Sequence, residues 1–282
     1  MERVRFPDMS AEAFTSDADR KAMAALQKVP LLPAVTQKFY ELGVDRWMYC
    51  YNMSQAVRCG PKQYRTLWQI LRETCAVLDE PEPELYVTNN PFPNAFAGGV
   101  ERPYITLRSS IVDMLDEQQL YHLMGHELGH IKAGHILHFS VARVLMPLLE
   151  MLGRRTFGIS DVAGMALAAA YAEWSRQAEI SADRAGLLVS QSLEVSIDHT
   201  IALAAGPSRL SNELSREAFM EQARTYQDMS GMDQIGKAFL WMFGSWTSTH
   251  PMPIFRAQQL ERWYQDGDYR QILAGTYARK SS

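Results

Sequence analysis

Residues 125–130 read Gly125-His126-Glu127-Leu128-Gly129-His130, and the fold can be predicted outward from this stretch. It has the form H-E-x-x-H. On a helix, residues four apart lie on one face, so His126 and His130 can present two imidazoles to a single metal ion. Glu127 lies beside that face, where its carboxylate can reach a water molecule that the ion holds. The pattern favours a zinc site over the alternative, a helix with buried and satisfied histidines.

The residues around the motif predict the helix that carries it. Asp116 is a candidate N-cap, and Gln119 follows three residues later as its capping-box partner. Apolar residues then recur at helical spacing, at Leu120, Leu123, Met124, Leu128 and Ile131. We therefore expect the motif on a helix that starts after Asp116.

The chain before this helix predicts a small sheet. Glu84 to Thr88 and Pro103 to Leu107 have strand chemistry, and 94–99 lies between them. Further upstream, Gly60-Pro61 predicts the start of a helix with Pro61 at its first position. Beyond the motif the pattern is almost wholly helical. We expect an α+β, mainly helical fold in which three or four strands pack against the H-E-x-x-H helix.

The composition excludes several classes of protein. The chain has 282 residues, 47% of them apolar, which is ample for a core, and its net charge of −4 gives no reason to expect a nucleic-acid partner. The N-terminus has no apolar core region and does not read as a secretory signal. Three cysteines, an odd number without metal-ligand spacing, indicate free thiols in a reducing compartment. We therefore expect a cytoplasmic protein.

The stretch from His135 to Trp174 is unusually apolar and tests whether the chain enters a membrane. A span needs about 20 predominantly apolar residues. Charged residues interrupt every such window here, namely Arg143, Glu150, Arg154, Arg155, Asp161 and Glu173. Buried or groove-lining helices are therefore favoured over insertion. Membrane contact is not the expectation, although it is left open.

A catalytic zinc site usually has three protein ligands, so a third must be found. The H-E-x-x-H-x-x-G-x-x-H type is excluded, because Ala133 and Ile136 stand where that pattern has Gly and His. A carboxylate from a later helix is the other common solution. Glu179 is the best candidate, since Asp183 follows one turn later and can accept the free ring N–H of a ligating histidine. Glu173 is the rival ligand, and an ordinary solvated charged face is the alternative interpretation.

These residues resemble a known family. The H-E-L-G-H motif with Glu179-Ile180-Ser181-Ala182-Asp183 downstream is similar to the M48 zinc metallopeptidases, the group that includes the Ste24 and HtpX proteases and their soluble relatives. The resemblance covers about residues 85 to 265. Its further matches are Asn94-Ala95-Phe96-Ala97, Ser175-Arg176, and Thr249-His250-Pro251 followed by Arg256.

The resemblance implies a gluzincin-type zincin fold with one Zn²⁺ per chain. The implied ligands are His126, His130 and Glu179, with Glu127 as general base on the zinc-bound water. The implied activity is a zinc-dependent endopeptidase that hydrolyses peptide bonds in extended or unfolded protein segments. This chain lacks the clear membrane spans of the Ste24 and HtpX members, so their membrane-protein substrates are not implied.

Four further assignments complete the predicted site. His250, in a loop stiffened by prolines, is a candidate donor to the oxyanion, a candidate fourth ligand that closes the site, or a loop histidine without contacts. Arg256 is expected to hold Asp183, Glu179 or the substrate, with a surface salt bridge as the alternative. The stretch Asn94, Ala95, Phe96 and Ala97 is expected to supply a strand edge to which an extended peptide adds. His122, His135 and His138 are assigned to packing, solvent or the following turn.

Two other functions remain open on sequence alone. One is a latent, chaperone-like or scaffolding protein with a closed zinc site, against which the intact Glu127 argues. The other is a non-proteolytic zinc amidohydrolase, against which the predicted strand edge argues. We expect a single domain over 1–282, with a helical N-terminal part at 1–80 and the catalytic core at 84–265.

Overall fold

The structure, a computed structural model, describes residues 3–28, 31–41, 43–140, 159–207, 209–230, 232–234, 236 and 252–280. Over these residues the fold is mainly helical with one small sheet, as the sequence predicts. The helices are α1 Asp17–Gln27, α2 Leu31–Glu41, α3 Val44–Gln55, α4 Arg65–Leu78, α5 Ser109–Met114, α6 Glu117–Lys132, α7 (135–140), α8 Ile159–Ser190, α9 Leu193–Ala205, α10 Arg216–Asp228, α11 (232–234), α12 Pro253–Gln265 and α13 Asp268–Leu273. The strands are β1 Val57–Arg58, β2 Glu84–Thr88, β3 Ala95–Gly98 and β4 Tyr104–Arg108.

The four strands form one mixed sheet in the order β1-β2-β4-β3. The central strands β2 and β4 run parallel, with Glu84 opposite Tyr104, and the outer pairs are antiparallel. Leu85 and Ile105 are buried on these central strands. Strand β3 is the last strand on one side of the sheet, and it contacts α6. The predicted small sheet against the motif helix is therefore present.

Helix α6 begins where its capping residues predict. The carboxylate of Asp116 accepts a hydrogen bond from the backbone N–H of Gln119 at 2.8 Å, and the Gln119 side chain accepts from the Asp116 N–H at 3.0 Å. Two of the orphan N–H groups at this end of the helix are thus satisfied. Every residue from Leu120 to His130 is buried. The motif therefore lies inside the molecule and not on an exposed helix face.

Two glycines allow α6 and α8 to pack closely. A Cβ atom placed on Gly129 would lie 2.6 Å from the Cβ of Ala185, and one on Gly125 would lie 2.7 Å from Cγ2 of Val189. Since real Cβ atoms do not approach so closely, larger residues at these positions would push the helices apart. The close crossing brings the part of α8 that carries Glu179 alongside the motif.

Helix α1 packs against α8. Its N-cap is Ser16, whose side chain accepts a hydrogen bond from the backbone N–H of Asp19. Leu26 of α1 is buried in a hydrophobic cluster with Phe39 and Trp174. The N-terminal helical part is therefore attached directly to the helix that carries Glu179.

The predicted start of α4 at Pro61 is wrong. The backbone of Gly60 and Gln63 exchanges two hydrogen bonds in a turn, at 2.9 and 3.2 Å, and Tyr64 has a left-handed φ of 49°. A residue in this conformation cannot lie inside a right-handed α-helix, so α4 begins only at Arg65. Helix α13 is not among the elements that the sequence pattern predicts.

Among the residues that the structure describes, no helix combines the length and the apolar character needed to cross a bilayer. Residues 141–158, the middle of the apolar stretch, lie outside the described residues.

Candidate metal centre

The three predicted ligands lie together. The Nε2 atoms of His126 and His130 are 3.2 Å apart, and the Glu179 carboxylate oxygens lie 3.5 and 3.4 Å from them. All three side chains are buried, and in the described part of the chain they form the one group of three or more His, Cys, Asp or Glu residues whose ligand atoms are all within 4.8 Å of one another. Two residues come from α6 and one from α8, so the close helix crossing assembles the group.

Asp183 contacts the first of these histidines, as its spacing from Glu179 predicts. Its Oδ1 atom lies 2.9 Å from Nδ1 of His126. Burial raises the pKa of Asp183, but the Arg256 guanidinium and the bond to His126 outweigh that effect and hold it well below its ordinary value. The carboxylate is therefore ionised, and the Nδ1–H of His126 donates to it. This leaves the Nε2 lone pair of His126 facing Glu179 and His130.

Arg256 holds two acidic residues of α8, Asp183 and Glu179. Its Nε and Nη2 atoms lie 2.7 and 2.5 Å from the two oxygens of Asp183, and its Nη1 atom lies 3.2 Å from Oε2 of Glu179. The arginine is 3% exposed, which excludes the predicted alternative of a surface salt bridge. Burial lowers the pKa of Arg256, and the charges of Asp183, Glu179 and Glu127 together raise it above its ordinary value. Helix α12 thus supplies a permanent cation behind the site.

The second histidine has a hydrogen-bond chain of its own. Nδ1 of His130 lies 3.0 Å from Nδ1 of His135, and Nε2 of His135 lies 3.1 Å from Oδ2 of Asp19. Ser181 donates its hydroxyl to the same Asp19 oxygen at 2.6 Å. Burial raises the pKa of Asp19, but the bonds from His135 and Ser181 hold it below its ordinary value. Helix α1 therefore reaches the site through one carboxylate.

The donor set fits a zinc ion. Burial lowers the pKa of His126 to about 3, so this imidazole is neutral near pH 7 and keeps a lone pair on Nε2. Two imidazole nitrogens and one carboxylate are the ligands of a large class of catalytic zinc sites. The Nδ1 atoms of both histidines are directed away from the cluster, towards Asp183 and His135, which is the usual arrangement behind metal-bound histidines.

The remaining predicted site residues are Glu127, the rival ligand Glu173, His250 and the predicted substrate edge. Glu127 is 1% exposed, and its charge contributes to the raised pKa of Arg256. Glu173, the rival ligand, accepts hydrogen bonds from Arg176 and Gln177 on its own helix and is not part of the metal-ligand group. His250 lies outside the described residues, so both of its assigned roles stay predictions. The predicted substrate edge, Asn94 to Ala97, coincides with β3 and the residue before it.

Two residues of the site, His135 and Asp19, are not predicted as such from the sequence. Gly134, with a φ of 72°, ends α6 in the left-handed region and turns the chain back, so His135 returns to the side of His130. A glycine directly after a helix was a readable signal for this turn. Asp19 gave no such signal, because its contact depends on how α1 packs on α8. His122 is buried against His199, with ring centroids 4.6 Å apart, which agrees with a packing role.

The chain is similar in sequence to a family of known proteins. The model of peptidase family M48 matches residues 61–264, more than half of the chain. The plastoglobule-localized metallopeptidase 48, chloroplastic, of Arabidopsis thaliana is 28% identical over 273 residues, which cover 95% of this chain and 77% of that protein. A protease HtpX homolog of Tropheryma whipplei is 28% identical over 234 residues, covering 74% of this chain and 76% of the relative.

A shorter match has slightly higher identity. A protease HtpX homolog of Caldanaerobacter subterraneus is 30% identical over 99 residues, which are 34% of this chain and 33% of the relative. No solved structure matches the chain significantly. The matched family region contains all three clustered ligands, Asp183 and Arg256. The chain therefore belongs to peptidase family M48 and is a zinc metalloprotease.

Proposed function

We propose that this protease is an endopeptidase that cleaves extended or unfolded protein segments, with Glu127 as its general base. The observation that carries the proposal is the buried group of His126, His130 and Glu179, with Glu127 in the same turn of α6 and β3 packed against that helix. The membership in family M48 supports the class of reaction. The position of β3 supports the class of substrate.

The chemistry divides between the ion and the protein. When bound, zinc acts as a Lewis acid that polarises the scissile carbonyl and lowers the pKa of water to about 7. His126, His130 and Glu179 would hold it. Glu127 takes the proton from the attacking water and returns it to the departing amine, because it follows a ligand directly on the helix. Asp183 and Arg256 keep His126 and Glu179 in position throughout.

The substrate is proposed to lie along β3. This strand is the last one on its side of the sheet and contacts α6. A substrate chain that runs beside it therefore passes close to the ligands. Pairing through main-chain hydrogen bonds requires an extended segment and reads little of its sequence. Folded proteins do not offer such segments, whereas unfolded ones do. Broad cleavage of unfolded proteins at internal bonds is therefore expected.

The test is digestion of casein, an unfolded protein, by the wild type and by Glu127→Gln. Glu127→Gln keeps the size of the side chain and removes the base, so turnover should fall by about 10²–10⁴-fold while bound zinc is retained. Glu117→Gln is the matched control, because Glu117 is an exposed residue of the same helix, and it should digest casein at the wild-type rate. Mass spectrometry of the products should show cuts at internal bonds.

Three results would contradict the proposal. If Glu127→Gln digests casein at the wild-type rate, Glu127 is not the general base. A zinc-loaded wild type that leaves casein intact but hydrolyses small amides would replace the endopeptidase by an amidohydrolase. If it cleaves neither class of substrate, the latent, chaperone-like function is the better description.

A further inference from the structure

Behind the second zinc histidine, the described structure contains a chain of buried polar groups that starts on α1. It runs from His130 through His135 to Asp19, with distances of 3.0 and 3.1 Å. His135 is 1% exposed and Asp19 is also 1% exposed. Since buried polar side chains need partners, these two groups are matched to each other and to His130.

We infer that His135 and Asp19 are positioning residues that fix the proton and the ring orientation of His130, so that helix α1 is part of the metal site. The inference rests on the proposed role of His130 as a ligand through Nε2. It concerns residues outside the H-E-x-x-H motif, and Asp19 lies outside the 61–264 region that matches the family.

The role of His130 as a ligand through Nε2 determines the direction of both hydrogen bonds. A histidine that gives its Nε2 lone pair to a metal carries its proton on Nδ1 when neutral. The Nδ1–H of His130 must then donate to Nδ1 of His135, which must be unprotonated at that atom. His135 therefore carries its own proton on Nε2 and donates it to the Asp19 carboxylate. Only this set of proton positions satisfies both contacts while Nε2 of His130 stays available.

Asp19 is itself held in place by α8. Ser181 donates its hydroxyl to Asp19, and the backbone N–H of Ser16 donates to the Ser181 oxygen at 3.0 Å. Ser181 stands between Glu179 and Asp183, the two acidic residues that α8 contributes to the site. One turn of α8 thus anchors the support of His126 through Asp183 and the support of His130 through Asp19.

The ring of His135 is also fixed by its neighbours. It meets Trp174 edge to face, with centroids 5.7 Å apart, and Phe139 at 6.4 Å. An aromatic replacement can therefore keep the packing while it removes the hydrogen bonds. This property makes His135→Phe a selective test.

The experiment is a chelator competition that measures zinc affinity in the full-length protein, together with the melting temperature of the metal-free form. His135→Phe should weaken zinc binding by about 10–100-fold, the usual effect of losing a partner of a ligating histidine. His135→Asn should recover most of the affinity. Its amide oxygen can take the place of Nδ1 as acceptor for His130, although the bond to Asp19 is lost.

Asp19 provides a second pair of variants, which also covers a failure of His135→Phe to fold. Asp19→Leu removes the acceptor for His135 and should weaken zinc binding, whereas Asp19→Asn retains a carbonyl acceptor and should stay close to the wild type. Ile272→Ala is the stability control, because Ile272 is a buried core residue of α13 and contributes no polar group to the site. It should lower the melting temperature with no loss of zinc affinity.

Wild-type zinc affinity in both His135→Phe and Asp19→Leu would overturn the inference. So would a loss of zinc affinity in Ile272→Ala that matches theirs at equal melting temperature, because the effect would then be one of general stability. Failure of the proposed function would look different, since it would show as a wild type that binds no zinc or as an active Glu127→Gln.

Discussion

At the scale of single residues, one carboxylate joins the ligands to the rest of the fold. Asp183 bonds to His126 of α6 and to Arg256 of α12, and it is 1% exposed. Its charge is matched by the guanidinium, so removing either partner leaves the other buried without full compensation. The same chain has a comparable pair at the surface, where Arg216 bonds both oxygens of Asp198 at 2.9 and 2.6 Å.

The two pairs give a matched prediction. Asp183→Asn should lower the free energy of unfolding by about 3–5 kcal/mol, the usual effect of breaking a buried ion pair, and should weaken zinc binding by about 10–100-fold. Asp198→Asn should lower it by at most about 1 kcal/mol and leave zinc binding unchanged, since its pair is more than a third exposed. Denaturant unfolding and chelator competition measure the two quantities. Equal effects of the two variants would contradict the role of Asp183.

At the scale of elements, the close crossing of α6 and α8 sets the distance between the histidines and Glu179. Its narrowest points are Gly125 and Gly129 on α6, while a Cβ on Gly186 of α8 would lie 2.7 Å from the ring of His122. Glycine inside a helix lowers helix stability by about 1 kcal/mol relative to alanine. Three such positions at one crossing indicate that close packing outweighs helix propensity there.

Gly129→Ala tests this crossing. The added methyl group improves helix propensity but would lie 2.6 Å from the Cβ of Ala185, so α8 must shift. We expect a net loss of about 1–3 kcal/mol in the free energy of unfolding, the usual effect of overpacking. Zinc affinity should fall as well, because Glu179 moves with α8. Gly60→Ala is the control, since its Cβ would meet no atom within 4 Å and should change neither quantity.

Local patterns account for what could be predicted at this scale. The capping box of α6, the strand 84–88 and the spacing of Glu179 and Asp183 all depend on neighbours in the sequence, and each is found in the structure. The predicted start of α4 is wrong because Tyr64 adopts a left-handed conformation, which is not predictable from a tyrosine side chain. The contact of Asp19 with His135 joins distant parts of the chain, so it depends on packing that no local pattern specifies.

At the scale of the whole molecule, the core does not depend on the metal ligands. One hydrophobic cluster contains Phe6 of the N-terminal segment, Leu71 of α4, Ile105 of β4, Leu128 of α6 and Tyr269 of α13, each at most 2% exposed. The N- and C-terminal segments are also joined by backbone bonds, including Ser10 N–H to the Ala278 carbonyl at 2.9 Å. The cytoplasmic location and the single-domain organisation stay predictions.

This architecture predicts how the protein responds to removal of its metal. The metal-free protein should remain folded and melt cooperatively, unlike small zinc domains that unfold without zinc, because its large core is built from residues other than the ligands. Zinc should nevertheless raise the melting temperature, since it binds the folded state and joins α6 to α8. At a free zinc concentration of about 1,000 times the dissociation constant, the stabilisation is about 4 kcal/mol. In a protein of this size, that corresponds to a rise of roughly 8–16 °C.

Two variants on α8 make this prediction specific for the ligand. Glu179→Gln should abolish the zinc-dependent rise in melting temperature, because a neutral amide is a poor zinc ligand in place of the carboxylate. Glu173→Gln should retain the full rise, since Glu173 bonds to Arg176 and Gln177 on its own helix. Calorimetry of each protein with zinc and with a chelator measures the difference. A zinc-dependent rise that survives in Glu179→Gln and disappears in Glu173→Gln would move the third ligand to Glu173, six residues earlier on the same helix.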